Sequence, residues 1–208
     1  MRKTCMTTTV GHVAVVFAVG MALWPLAAAS PAADEPCGDK PNLVVNGSFE
    51  DGPKFEASFL PLDEDSEEIR GWVVTRGQID LLQESGGKQR AAGGSRSLDL
   101  HGSPGFGGVQ QSLATKVGQK YKVTFRMSGN PGLGLETVLM GVRAAGKKDI
   151  FACAMAGKSL DDLGWETKTW EFTAVETNTA LEFHTALAPL TNPFGGPLLD
   201  EVQVVAVD

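Results

Sequence analysis

The feature of this sequence that most limits its fold is a series of short segments in which apolar and polar residues alternate. The clearest covers residues 121–128, and a shorter one covers residues 96–101. An alternation with a period of two is typical of β-strands that bury one face. Turn residues separate the segments, as in Gly129-Asn130-Pro131-Gly132. About ten such strands, with turns about every 8–12 residues, predict an all-β fold, namely an antiparallel jelly-roll β-sandwich.

The first 29 residues are predicted to be a signal peptide. Arg2 and Lys3 give a basic start, residues 13–26 are mostly apolar, and residues 27–29 are alanines at a cleavage site. The apolar run is shorter than the ~20 residues that a membrane-spanning helix needs. We therefore expect secretion to the periplasm or the extracellular space, a flexible lead-in at 30–41 and one domain at 42–208. The sequence shows no C-terminal sorting motif, so we expect no C-terminal anchor.

The charge balance of the predicted mature chain limits the classes of partner that it can bind. Without residues 1–29, 16 basic and 25 acidic residues remain, which is a formal charge of −9. Binding to nucleic acid needs clusters of Lys and Arg against the phosphates, and the sequence contains no basic run. We expect a soluble, cation-attracting domain that binds neither nucleic acid nor an anionic membrane.

Two cysteines, Cys37 and Cys153, remain in the predicted mature chain. In an oxidising compartment they could form a disulfide. A buried, unpaired thiol explains Cys153 equally well, because it lies in an apolar segment. The two histidines of the predicted mature chain, His101 and His184, have no metal-ligand spacing, so the sequence does not support a zinc site.

Residues 42–52 read Asn-Leu-Val-Val-Asn-Gly-Ser-Phe-Glu-Asp-Gly. The apolar residues 43–45 predict a strand, and the Asn46-Gly47 pair predicts a sharp turn. Glu50 and Asp51 place carboxylates beside the bent main chain, which suits a hard cation such as calcium. A turn with a solvated acidic edge explains the same residues, and the segment alone does not separate the two.

Further motifs follow in order and carry a family resemblance. They are Ile69-Arg70-Gly71-Trp72-Val73-Val74, Gly77-Gln78-Ile79-Asp80, Ser95-Arg96-Ser97-Leu98-Asp99-Leu100, Gly108-Val109-Gln110-Gln111, Tyr121-Lys122-Val123-Thr124-Phe125, Gly129-Asn130-Pro131 and Gly196-Pro197-Leu198-Leu199-Asp200. With residues 42–52, this set resembles the choice-of-anchor C family of bacterial exported proteins, which is related to plant cell-wall proteins of unknown function. The resemblance covers nearly all of residues 43–207. It implies a galactose-binding-domain-like jelly roll, the architecture of many carbohydrate-binding modules.

The resemblance also implies a structural calcium ion. In glucan- and xylan-binding modules of this fold, an Asn-Gly-x-Phe-Glu segment and an Asp that opens the last strand hold calcium. The matching side chains in this sequence are Glu50 and Asp200, with main-chain oxygens at Ser48 and Ser95 completing the shell. In the alternative, both carboxylates accept hydrogen bonds from turn amides.

The resemblance favours a non-catalytic module that binds a polysaccharide or a cell-envelope glycan. Sugar sites combine aromatic rings with a few polar groups. The candidate ligand-binding residues are Trp165, Phe106, Tyr121, Asn130 and Arg143, and further candidates are Phe194, Trp170, Gln110 and Gln111.

Two other functions are consistent with the sequence. A module that docks on another extracellular protein would use the Gly-rich loop 102–108 and the acidic loop 56–68 as contact surfaces. A glycosidase would need two carboxylates at a defined separation, and the available ones include Glu166, Glu171, Glu182 and Asp200. No nucleophile elbow, metalloprotease helix, phosphate loop or Cys–His couple occurs, so we expect no enzymatic activity.

Overall fold

The computed structural model describes residues 40–102, 105–131, 136–187 and 196–208, all of which fall within the unit Asp39–Asp208. These residues form eleven β-strands and no α-helix. The strands are β1 (Phe59–Asp63), β2 (Val73–Arg76), β3 (Gln78–Gln83), β4 (Arg96–Asp99), β5 (Gly108–Ala114), β6 (Lys120–Gly129), β7 (Thr137–Ala144), β8 (Lys147–Ala154), β9 (Glu166–Thr173), β10 (Asn178–Leu187) and β11 (Pro197–Ala206).

The strands pair into two antiparallel sheets. One has six strands in the order β1-β3-β4-β11-β6-β9, and the other has five in the order β2-β5-β10-β7-β8. This arrangement confirms the predicted jelly-roll β-sandwich. The search for helices that could cross a membrane found none among the described residues. The predicted signal peptide and all but the last two residues of the lead-in lie outside the described residues, so both stay predictions.

One hydrophobic core fills the space between the sheets. The four apolar residues of the 121–127 alternation are all buried. The Phe125 ring meets the Phe183 ring of β10 with centroids 5.0 Å apart, and Trp72 meets Phe49 with centroids 5.3 Å apart. Aromatic rings at these separations add to the stability that burial alone provides.

The segment 42–52 does not contain the strand that its apolar residues predict. Leu43 N–H donates to Val204 O at 2.8 Å, but Val45 pairs with a side chain instead of a strand. The Gln111 amide accepts from Val45 N–H at 2.7 Å and donates to Val45 O at 2.8 Å. Because one glutamine side chain replaces a partner strand, the segment is tied to both sheets without joining either ladder.

The Asn46-Gly47 turn was predicted correctly, and the structure adds its reason. Asn46 has a positive φ of 53°. A Cβ on Gly47 would lie 2.0 Å from Val202 O, and Val202 N–H donates to Gly47 O at 2.9 Å. Only glycine lets the turn approach β11 this closely.

The acidic loop predicted at 56–68 is only partly a loop. Residues Phe59–Asp63 form β1, which pairs with β3 at the edge of the six-stranded sheet. Only Leu62 of this strand is buried. An edge strand with one buried residue shows almost no alternation, and for this reason the sequence predicts a loop there.

Each sheet has an outer face on the side away from the core. In the five-stranded sheet, Val109, Phe183 and Val142 lie side by side and are fully buried, so the residues next to them in each strand point outwards. We call this outer face, from β2 to β8, the open face. We call the outer face of the six-stranded sheet the covered face, since the loops 84–94 and 156–165 lie on it. Gln89 N–H donates to Leu160 O at 2.8 Å between these loops.

Candidate functional site

A row of polar residues crosses the open face from strand to strand. Gln110 of β5 lies opposite Glu182 of β10, Glu182 opposite Arg143 of β7, and Arg143 opposite Lys148 of β8. Arg76 at the end of β2 reaches the same row. Four strands therefore bring together charges that are up to 106 residues apart in the chain.

Glu182 is the centre of this row and is only 1% exposed. Its two carboxylate oxygens accept hydrogen bonds from Arg76 and Arg143, and Thr75 Oγ1 donates to Oε1 at 3.2 Å. The side chains of Arg76 and Arg143 remain 38% and 54% exposed. A buried carboxylate needs such partners to offset the loss of hydration. Glu182 thus holds two guanidinium groups in place at the surface.

His184 lies in the next row, between two glycines. A Cβ on Gly141 would be 2.4 Å from His184 Nε2, and one on Gly108 would be 3.0 Å from His184 Cβ. Both glycines therefore make room for the imidazole. Burial, and then the charge of Arg76, lower the pKa of His184 below its usual value. The imidazole is therefore neutral and largely buried at neutral pH.

Two adjacent depressions occupy the open face, with volumes of about 580 and 550 Å³, and they share Arg143 and Lys148. Glu176 and Asn178 also line the first, and Arg76, His184 and Ile150 also line the second. Each lies in the range of about 300–1,000 Å³ that is typical of small-molecule sites. Their described lining contains no Phe, Tyr or Trp. No described side chain of this lining can therefore stack on a sugar ring, and the charged groups and aliphatic side chains remain for recognition.

The predicted ligand residues are spread over the molecule, and of the five only Arg143 lies on the open face. Phe106 is 50% exposed at a chain turn with φ 54°, where its ring meets His101 at 5.3 Å. Asn130 donates to Asp99 Oδ2 at 3.1 Å on the covered face. The further candidate Gln110 does join Arg143, and Phe194 lies outside the described residues.

Tyr121 is a core residue and has no surface for a ligand. It is 3% exposed, stacks on Phe172 with centroids 5.4 Å apart, and its hydroxyl accepts from Lys116 N–H at 2.9 Å. Its position among the buried residues of the 121–127 alternation already indicated this. The prediction of a ligand role for Tyr121 is therefore not retained.

Trp165 lies on the covered face, where it packs against Leu82, Leu163 and Leu198. Its Nε1–H donates to Arg90 O at 2.9 Å. Because the indole closes a small apolar cluster and also ties down the 84–94 loop, its contacts within the chain account for the residue. No other predicted ligand residue adjoins it in the described contacts.

Three of the four predicted calcium ligands, Glu50, Ser95 and Asp200, are joined by hydrogen bonds through residues 92–96. Glu50 accepts from Ser95 N–H at 2.7 Å, Ser95 Oγ at 2.8 Å and Arg96 N–H at 2.8 Å. Asp200 accepts from Ala92 N–H at 2.8 Å, Gly93 N–H at 3.0 Å and Glu201 N–H at 2.7 Å. Ser48, the fourth, makes no hydrogen bond to this cluster among the described contacts.

This donor set does not fit calcium. A calcium shell consists of six to eight oxygens, whereas the two carboxylates are surrounded by N–H groups that present positive ends. The described residues contain no group of three or more His, Cys, Asp or Glu side chains placed to hold a metal. Burial raises the pKa of Asp200 to about 7, against its three backbone N–H donors. Calcium at this place therefore stays a prediction.

Cys153 is a buried thiol whose Sγ lies 3.3 Å from Glu166 Oε1. Burial raises the pKa of this thiol, and the hydrogen bond to Glu166 raises it further. Its predicted disulfide partner, Cys37, lies outside the described residues, so the disulfide stays a prediction.

Arg76, Lys148 and His184 belong to the site but were not among the residues predicted to bind a ligand. The alternation of β10 does show that Glu182 and His184 share the face opposite Leu181 and Phe183. Nothing local, however, indicates that β2 and β8 bring their cations to that face.

The fold places this chain in the class of β-sandwich modules. It is similar to the carbohydrate-binding module TmCBM61, whose structure is in complex with β-1,4-galactotriose, with a TM-score of 0.53 and 15% identity over 80% of this chain and 99% of that chain. A family 16 carbohydrate-binding module has a TM-score of 0.45 and 15% identity over 79% of this chain and 99% of its own. At this identity the first likeness shows the fold alone.

The chain belongs to the family described as "Protein of unknown function (DUF642)", whose model matches residues 42–205. It is also 32% identical over 197 residues to halomucin from Haloquadratum walsbyi (strain DSM 16790 / HBSQ001). That alignment covers 91% of this chain but only 2% of halomucin. The family match confirms the relationship to proteins of unknown function that the ordered motifs predicted, and the choice-of-anchor C assignment stays a prediction.

Proposed function

We propose that this protein is a secreted, non-catalytic carbohydrate-binding module whose ligand lies on the open face. The observation that carries the proposal is the Arg76–Glu182–Arg143 group, a buried carboxylate that holds two partly exposed guanidinium groups beside two depressions. Donors held in place before binding lose little entropy when a ligand arrives. The fold shared with a module crystallised with a galactotriose supports a glycan as the ligand.

The surroundings of the carboxylates support a binding role without catalysis. Glu182 is shielded by two arginines, and Glu166 pairs with Lys158 and Lys168. Asp200 is 0% exposed and accepts three backbone N–H groups. A glycosidase needs two carboxylates that reach one sugar bond. Each of these three carboxylates instead bonds to its own partners within the protein, at a different place in the fold.

The test is retention of the mature chain on immobilised polysaccharides of varied composition. We expect retention on at least one polysaccharide and about tenfold weaker binding by Arg143→Ala, the equivalent of about 1.4 kcal/mol. Lys122→Ala is the matched control, because Lys122 is an exposed cation on β6 of the other sheet. Failure to bind any polysaccharide, or equal binding by Arg143→Ala, would overturn the proposal. Release of reducing ends from a bound polymer would overturn its non-catalytic part.

A further inference from the structure

The open face carries an excess of positive charge on an acidic protein. Three cations, Arg76, Arg143 and Lys148, lie around the single buried carboxylate of Glu182. The whole chain has a formal charge of −7. A local field of the opposite sign to the rest of the surface attracts anionic ligands and repels cationic ones.

The pairing of Arg143 with Lys148 is unfavourable for folding. They lie directly opposite each other on adjacent antiparallel strands, and like charges in this position destabilise a sheet. Within the described residues Lys148 makes no ion pair, and Arg143 pairs only with Glu182. The next residue, Asp149, alternates to the other side of β8 but still lines the second depression, where it offsets part of the positive charge without forming an ion pair with Lys148. Stability therefore does not explain why both cations are present.

The guanidinium groups keep donors for a ligand. Glu182 uses one nitrogen of Arg76 and two of Arg143, Nε and Nη2. A guanidinium has five N–H donors in a planar fork that matches a carboxylate. The side chains that carry the remaining donors are 38% exposed for Arg76 and 54% exposed for Arg143, and both line the depressions.

We propose that the ligand bound on the open face is an acidic glycan, recognised through sugar carboxylates by Arg143, Lys148 and Arg76. This inference rests on the proposed function and specifies its ligand class. The absence of Phe, Tyr and Trp from the described lining of both depressions agrees with it, since stacking on neutral sugars needs aromatic rings. Ile150, which is 58% exposed, supplies an apolar contact beside the cations.

The experiment compares one polymer with and without its charge. Binding of the mature chain to polygalacturonate and to its methyl ester is measured by titration calorimetry. We expect the acid to bind at least about tenfold more tightly, and its affinity to fall as NaCl rises from about 0.05 M to about 0.5 M. Dextran sulfate is the third ligand, and we expect it to bind more weakly than the acid.

The variant Lys148→Gln separates binding from folding. We expect about tenfold weaker binding of polygalacturonate, with a melting temperature that is unchanged or higher because repulsion with Arg143 is relieved. Lys122→Gln should change neither. A lower melting temperature with unchanged binding would show that Lys148 is structural and would overturn its role.

The other outcomes distinguish the two proposals. Equal binding of the acid and the ester, weakened by Arg143→Ala, would leave the proposed function intact and overturn the acidic ligand. Binding of dextran sulfate as tight as that of the acid would overturn the recognition of carboxylates in particular. Binding of no polysaccharide at all would overturn both.

Discussion

The two outer faces of this sandwich bury carboxylates in different ways. On the open face, Glu182 is neutralised by the side chains of Arg76 and Arg143. On the covered face, Asp200 is held by main-chain N–H groups, and Asp99 is held by two main-chain N–H groups and the neutral Asn130 amide. All three are at most 1% exposed. The burial is the same, but the partners differ.

The difference separates a surface that can bind from one that is closed. Long cationic side chains reach outwards past Glu182 and keep donors in solvent, so a ligand can add to the network. On the covered face the main-chain N–H groups already donate to Asp200 and Asp99, and the loops that carry these groups lie over the sheet. Buried polar groups thus support binding on one face and loop structure on the other.

The largest expected effect is on stability and comes from Asp200→Ala. Three partly buried backbone N–H groups would lose their acceptor, and we expect the free energy of unfolding to fall by about 3–5 kcal/mol. Chemical denaturation measures this loss. Asp161→Ala, on an exposed loop, is the control and should change stability by less than about 0.5 kcal/mol. A similarly small effect of Asp200→Ala would contradict the structural role of the covered face.

A second variant, Glu182→Gln, tests whether the open face is organised for binding. Loss of the charge leaves Arg76 and Arg143 to repel each other, but both can turn to solvent. We therefore expect a loss of about 1–2 kcal/mol, less than for a fully buried pair, and at least about tenfold weaker glycan binding. Denaturation and calorimetry measure the two effects. Tighter binding by Glu182→Gln would show that the carboxylate competes with the ligand for the arginines.

The pH dependence of stability is expected to reflect the buried carboxylates of the covered face. Asp80 lies opposite Asp99 in adjacent strands, and its Oδ1 is buried without a hydrogen bond. Burial raises the pKa of Asp80 to about 6 and that of Asp99 to about 7. Since the folded state holds these protons more tightly than the unfolded state, their stabilising effect is complete below about pH 3.8 and is lost as pH rises through 6 to 7.

We therefore expect a lower melting temperature at pH 8 than at pH 5. Asp80→Asn should raise the melting temperature at pH 8 and make the curve less steep, because it removes the charge that repels Asp99, while Asp200, whose pKa is also raised to about 7, keeps part of the slope. Scanning calorimetry across this range checks both. The lowered pKa of His184 acts in the opposite direction below about pH 6.5, so His184→Gln is the control that isolates the carboxylates. A curve unchanged by Asp80→Asn would contradict the coupling.

The smallest expected effect is that of chelation. Since Glu50 and Asp200 are satisfied by N–H donors, removing calcium with EDTA should move the melting temperature by less than about 1 °C, the equivalent of a few tenths of a kcal/mol. The measurement is a thermal melt with EDTA against one with added calcium. A shift of several degrees, together with co-purified metal, would restore the calcium site that the resemblance implies.

Much of the fold was predictable because it depends on local patterns. The alternation at 121–128 became β6, and the Asn46-Gly47 turn lies where its residues require. Residues 43–45 were misread because a glutamine side chain, 66 residues away, takes the place of a partner strand. β1 was missed because an edge strand with one buried residue has almost no alternation to detect.

The sequence by itself determined the sandwich, the family, and which residues of each strand face outwards, since these follow from a two-residue period and ordered motifs. Only the tertiary structure decided that Arg76 and Arg143 meet at Glu182, and that Lys148 lies beside Arg143. Arg76 is 106 residues from Glu182 in the chain, and Arg143 is 39 residues from it. Their pairing depends on the order of strands in the sheet, and that order is set by how the whole core packs.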